Sequence, residues 1–172
     1  TLHGVTPLMA GYIVALESVC WGIAAVIVSG RSGASDTRLI RTGTILITAG
    51  ILGFALAMPN GPMWALILSA VAQGAGFGIS WAFVVARITK SAALDQKDVA
   101  SSSIPTIQQI GFAFGAAAAG IVANTAGFSD EVTASTARSA ASWIFAGFLP
   151  FALVANFAAW RLTSVRHSRQ GT

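Results

Sequence analysis

From Thr42 to Ala86 the chain carries not one charged residue. At ~1.5 Å rise per residue, a helical run of that length crosses a ~30 Å hydrocarbon layer twice. A turn divides it. Pro59-Asn60-Gly61-Pro62 combines turn formers with two prolines, which predicts one helix over 42–58 and the next over 63–86. Three further apolar stretches, 7–29, 101–125 and 139–160, are each close to the ~20 residues that a spanning helix needs. The expectation is an all-α integral membrane protein: a single transmembrane domain over 1–172 with about five transmembrane helices.

Composition argues against a soluble helical protein. Hydrophobic residues make up 55% of the chain and charged ones only 9%, where a soluble domain has roughly 25% charged. Soluble helices of this length carry charges along their outer faces at helical spacing, and none of the five segments has such a row. The single cysteine, Cys20, excludes an intrachain disulfide and suggests no metal cluster. A net charge of +4 does not point to nucleic acid, because the basic residues form no basic face. The chain begins at Thr1, with no charged segment before its first apolar stretch, so that stretch is not read as a signal peptide. The sequence reads as a piece of a longer polypeptide, or as a gene product shortened at its N-terminus.

The basic residues instead give an orientation. Nine of the ten fall between the first and second segments (Arg31, Arg38, Arg41), between the third and fourth (Arg87, Lys90, Lys97), or at the end (Arg161, Arg166, Arg169). Alternate crossings put all three places on one side, and short cytoplasmic loops carry the excess of Lys and Arg. The other side receives the uncharged Pro59 to Pro62 turn and the net negative loop with Asp130, Glu131 and Arg138. The N-terminus is therefore expected outside and the C-terminus in the cytoplasm.

Within the spans there is one acidic side chain, Glu17, and no basic one. It lies near mid-depth of the first helix, where a carboxylate costs on the order of 2.5–3.5 kcal/mol on insertion scales and usually faces a cavity or a partner. Two readings stay open: a proton-exchanging or cation-recognising group, or a neutral carboxyl that joins helices by hydrogen bonds. Gln73 lies at similar depth in the third helix, and Gln108 and Gln109 lie about a third of the way into the fourth. These amides can line a polar cavity or tie helices together. Trp21, one turn beyond Glu17, and Trp81, two turns beyond Gln73, can supply aromatic walls for a lipophilic or cationic substrate.

Small residues mark where helices can approach closely. Gly74, Gly76 and Gly78 form overlapping small faces, and Gly111 with Gly115 forms a GxxxG pair followed by Ala119. The Gly74 run lacks the following Lys-Ser/Thr and the preceding strand of a phosphate loop. Pro105 and Pro150 fall inside the fourth and fifth helices and invite kinks. His3 and His167 lie in the tails, and no catalytic or metal-ligand spacing appears. No enzyme activity, cofactor or metal is expected.

The order of these features resembles the C-terminal half of major facilitator superfamily transporters, and is similar to its drug/proton antiporter-like members. Thr6-Pro7-Leu8-Met9-Ala10-Gly11-Tyr12 looks like the start of that family's eighth helix. Gly30-Arg31 followed by Asp36, Arg38, Arg41 and Gly43 resembles its basic loop between helices eight and nine, which implies a cytoplasmic gating loop at Asp36, Arg38 and Arg41. The Gln73 to Gly78 stretch looks like its tenth helix, and Gln108-Gln109-Ile110-Gly111 with Gly115 its eleventh. The resemblance implies an incomplete C-terminal helix bundle, helices eight to twelve, in a bacterial cytoplasmic (inner) membrane. Helices eight, ten and eleven would surround a cavity near the midplane, with an N-terminal half supplying the other wall. It further implies proton-coupled transport of a small organic molecule by alternating access, with efflux ahead of uptake. The expected partners are the lipid bilayer, the substrate, H+ and the N-terminal half. The reading from a different class is a non-transporting membrane subunit or scaffold derived from a truncated transporter.

Overall fold

A computed structural model describes residues 6–31, 34–127 and 133–164. Asp130, Glu131, Arg166, Arg169, His3 and His167 lie outside the described residues. Five helices are each long and apolar enough to cross a membrane. They are α1 (Pro7–Val28), α2 (Ala34–Asn60), α3 (Met63–Ser91), α4 (Lys97–Thr125) and α5 (Ala134–Ser164), with a short 3-10 turn at Leu94–Gln96 before α4. The chain is thus an all-α membrane protein, as its hydropathy predicts.

Local chemistry explains the helix ends. The Thr6 hydroxyl accepts a hydrogen bond from the Met9 N–H at 3.3 Å, and Pro7 occupies the first turn, where its missing N–H costs nothing. Gly30, at φ 78, takes the left-handed conformation that stops α1. Gly61 closes the α2–α3 turn by donating to the Ala57 carbonyl at 2.7 Å, and Pro62 caps α3.

Four helices run past their expected limits, and the excess lies mostly where the charges are. α2 begins at Ala34 rather than 42, α3 continues to Ser91, α4 begins at Lys97, and α5 covers Ala134–Ser164. An uncharged run measures the hydrocarbon layer. A helix can extend beyond it into the headgroup region, where Arg, Lys and Asp are solvated and their helix propensity is adequate. One consequence is a correction: Asp36, Arg38 and Arg41, expected in a gating loop, lie in the first turns of α2. Asp36 sits there in the first turn, where the helix dipole favours an acidic group. Pro59 likewise lies inside α2, in its last turn, and not in the loop after it.

α3 is the centre of the packing. α1 lies along one side of it and α2 along another, and α2 in turn packs on α5, while α4 touches α3 and α5 only sparsely. The contacts at α3 are backbone on backbone. A Cβ added at Gly76 would collide with the Gly43 carbonyl and Ile47, and one at Gly43 with Ser80. In lipid, where burying apolar surface gives no preference for a neighbouring helix, such close approach is what holds helices together. Toward the α2–α3 turn, Phe54, Ala57, Leu66 and Ala70 form a buried cluster, with Phe145 of α5 stacked on Phe54 at 5.2 Å.

On α4 the corresponding small-residue face is open among the described residues. Added Cβ atoms at Gly111 and Gly115 meet nothing within 4 Å, and α4 has no buried residue. The GxxxG pair packs against no helix of this chain among the described residues. The pattern permits close approach, but no helix lies on that face.

Several hydroxyl groups inside the spans are satisfied locally. Ser69, Ser80, Thr48 and Thr163 each donate to the carbonyl four residues back, at 2.7, 2.8, 3.0 and 2.9 Å. Asn156 of α5 donates to the Thr44 carbonyl at 3.2 Å and to the Thr48 hydroxyl, fastening α5 to α2. At the arginine-rich end, Arg41 donates to the Thr163 hydroxyl at 2.8 Å, and Arg87 to the Thr37 hydroxyl at 3.2 Å and the Leu162 carbonyl at 3.4 Å. These bonds join the ends of α2, α3 and α5.

Candidate functional site

The α1–α3 contact fixes the site. Gly74 and Gly78 are one turn apart on α3, and Glu17 and Trp21 are one turn apart on α1. A Cβ at Gly74 would strike the Glu17 carbonyl, and one at Gly78 the Trp21 carbonyl. The two helices therefore meet with Glu17 opposite Gly74 and Trp21 opposite Gly78. Gln73 and Phe77 each precede one of these glycines, so their side chains emerge beside the α1 pair. The Trp21 and Phe77 rings stack at 5.5 Å with 27° between their planes.

From this contact a cavity of about 700 Å³ opens toward α4. α1 contributes Glu17 and Trp21, and α3 contributes Gln73, Phe77, Trp81 and Ile88. Across from them stand Ser103, Ile104, Gln108 and Phe112 of α4, among others. The spacing is helical on both walls: Gln73, Phe77 and Trp81 recur every four residues, as do Ile104, Gln108 and Phe112. The wall is mainly aliphatic and aromatic, with a carboxyl, two amides and a hydroxyl set into it. That is the usual make-up of a site for a small organic molecule. The Gln73 Oε1 atom is buried and has no hydrogen-bond partner among the described residues.

Five of the six residues named from the sequence for the substrate and proton path, Glu17, Trp21, Gln73, Trp81 and Gln108, line this one cavity. Gln109 does not. It is exposed on another side of α4, because adjacent helical positions point about 100° apart. Phe77, Ile104 and Phe112 were not anticipated. The signal was present in the four-residue steps from Gln73 and from Gln108, but apolar residues at such steps are equally common on lipid faces. The described residues include no group of His, Cys, Asp and Glu able to hold a metal ion.

Comparison with known proteins finds partial relatives. The chain is 30% identical over 133 residues to a probable multidrug-efflux transporter of Mycobacterium tuberculosis, found in two strains; the match covers 73% of this chain and 28% of the relative. It is also 30% identical over 119 residues to a tetracycline resistance determinant of Streptomyces rimosus, covering 67% of this chain and 34% of that protein. The chain thus spans about a third or less of the length of the curated relatives it matches. No family model and no solved structure matches it.

Proposed function

We propose that this chain is part of a secondary active transporter of the major facilitator type, corresponding to helices eight to twelve of its C-terminal half, and that it forms one wall of a proton-coupled path for a small organic molecule. The carrying observation is the cavity in which Glu17, Trp21, Gln73, Trp81 and Gln108 converge. The matches to a probable multidrug-efflux transporter and a tetracycline resistance determinant favour efflux as the direction.

The chemistry follows from the lining. Trp21, Phe77 and Trp81 offer flat apolar and cation-attracting faces. Gln73 and Gln108 offer polar amides, and Glu17 holds either a proton or, when ionised, a cationic substrate. Binding of one then competes with binding of the other, which is the coupling that an antiporter requires. Alternating access comes from rocking of this bundle against the other half, with the cavity near the midplane opening to each side in turn. The basic ends lie in the cytoplasm of a bacterial inner membrane.

The test is made on the full polypeptide in proteoliposomes with an imposed proton gradient and a lipophilic cationic dye. Wild type is expected to move dye against its gradient. Glu17→Gln, which keeps the shape but cannot titrate, is expected to lose gradient-driven movement at unchanged folded yield. Unchanged transport with an unchanged pH profile would leave Glu17 a purely structural residue. No transport by wild type across a substrate panel would favour the scaffold reading. Cysteines at positions 60 and 35 test orientation: an impermeant reagent added outside should label the first and spare the second.

A further inference from the structure

A second cavity, of about 410 Å³, lies on the other side of the α1–α3 contact and opens outward between α1, α2 and α3. Cys20, Ile27, Leu39, Val71 and Ile79 line it, and Arg31 stands at one end. Apart from Arg31 and Thr42 the lining is apolar, so nothing in it recognises a polar solute along its length. Its open side is the exposed face of α1, with Ile23 and Ile27 turned to the bilayer.

We infer that this cleft seats one acyl chain of an anionic phospholipid, with the phosphate held by Arg31. Length and charge both point to this occupant. From Cys20 to Val28 the α1 axis advances ~12 Å at the helical rise, and Arg31, three residues past that end, stands close to the boundary of one leaflet, half of a ~30 Å hydrocarbon core. An acyl chain that lies along the cleft from mid-membrane therefore brings its headgroup to the level of Arg31. Gly30, in its left-handed conformation, ends the helix there, and the Arg31 N–H is tied to the Val28 carbonyl at 3.2 Å. The guanidinium has no hydrogen-bond or ion-pair partner among the described residues. A free guanidinium at headgroup level binds phosphate with two parallel hydrogen bonds and favours a net negative lipid over a zwitterionic one. The site is separate from the Glu17 cavity and does not depend on transport.

The test is native mass spectrometry of the full polypeptide released from nanodiscs of equal phosphatidylglycerol and phosphatidylcholine. Wild type is expected to retain one phosphatidylglycerol in preference to phosphatidylcholine. Arg31→Gln should lower that preference about fivefold, the worth of one arginine near an anionic surface. Arg31→Lys should keep most of it, and Arg38→Gln, which changes an exposed arginine outside the cleft, should leave it intact. Ile23→Trp, which fills the open side, should reduce retention of the lipid. Equal retention of the two lipids would overturn the headgroup assignment. Equal losses in Arg31→Gln and Arg38→Gln would reduce it to diffuse surface charge, and undiminished retention in Ile23→Trp would remove the lipid from the cleft.

Discussion

α3 and α4 carry the same kind of small-residue pattern and use it differently. On α3, Gly74 and Gly78 admit the backbone of α1, while Gly76 admits that of α2. On α4, Gly111 and Gly115 admit nothing, and Ile110 and Phe114 beside them are 64% and 72% exposed. The difference teaches that a small-xxx-small pattern states a capacity for close approach. A second helix with its own matching face realises it. α1 supplies such a match for α3 because Glu17 and Trp21 project past the glycines into the cavity and not at them. Gly111 and Gly115 stand three and seven residues beyond Gln108 yet do not line the cavity, and no helix among the described residues meets them.

Substitution separates the two faces, and the largest effect belongs to Gly74. Gly74→Leu drives a side chain into the Glu17 backbone. Overpacking of this kind costs ~1–3 kcal/mol where neighbours can yield and more where they are backbone. Folded yield of the full polypeptide by size-exclusion chromatography is expected to collapse. A normal yield and melting temperature would dissolve the α1–α3 register on which the site rests.

A smaller effect is expected at the α2–α5 fastening. Asn156→Leu removes the bonds to Thr44 and Thr48, and interhelical polar contacts in membranes average ~0.6 kcal/mol with a maximum near ~1.7. A melting temperature lowered by a few degrees, against no change for Gln109→Leu on exposed α4, would extend the contrast from glycines to amides. Equal shifts in both variants would show that α4 is held as firmly as α5.

The smallest effect on folding is expected from Gly115→Leu, within about 0.5 kcal/mol, as at other open positions. Dye movement should nonetheless fall, since in the proposed transporter the N-terminal half closes on this open face. A folding loss as large as that of Gly74→Leu would show that α4 is already packed in the resting protein. Full transport would turn this face toward lipid.

Much of the helix layout was legible because charge and turn chemistry are local. The Pro59 to Pro62 segment separates α2 from α3, although the helix runs two residues further than its prolines suggest. The starts of α2 and α4 were harder to see, since the charges that mark the end of the hydrocarbon layer do not interrupt a helix. In the site, Glu17 and Gln73 stood out because polar groups at mid-depth are few. Phe77 and Phe112 did not, because an aromatic residue suits a cavity wall and a lipid face equally well.

The sequence by itself determined the solvent, the number of helices long and apolar enough to cross it, and the common end of the basic clusters, all of which follow from the cost of placing charge and unpaired backbone in hydrocarbon. Only the tertiary structure decided which face of each helix meets another: that Gly74 rests on Glu17 and Gly78 on Trp21, that Gln108 enters the cavity and Gln109 does not, and that Gly111 and Gly115 stay open. The reason is physical. In water a helix buries its apolar face and exposes its polar one, so sequence labels the two. In a bilayer both the neighbouring helix and the lipid are apolar, and the choice between them rests on shape complementarity with a partner that no single helix encodes.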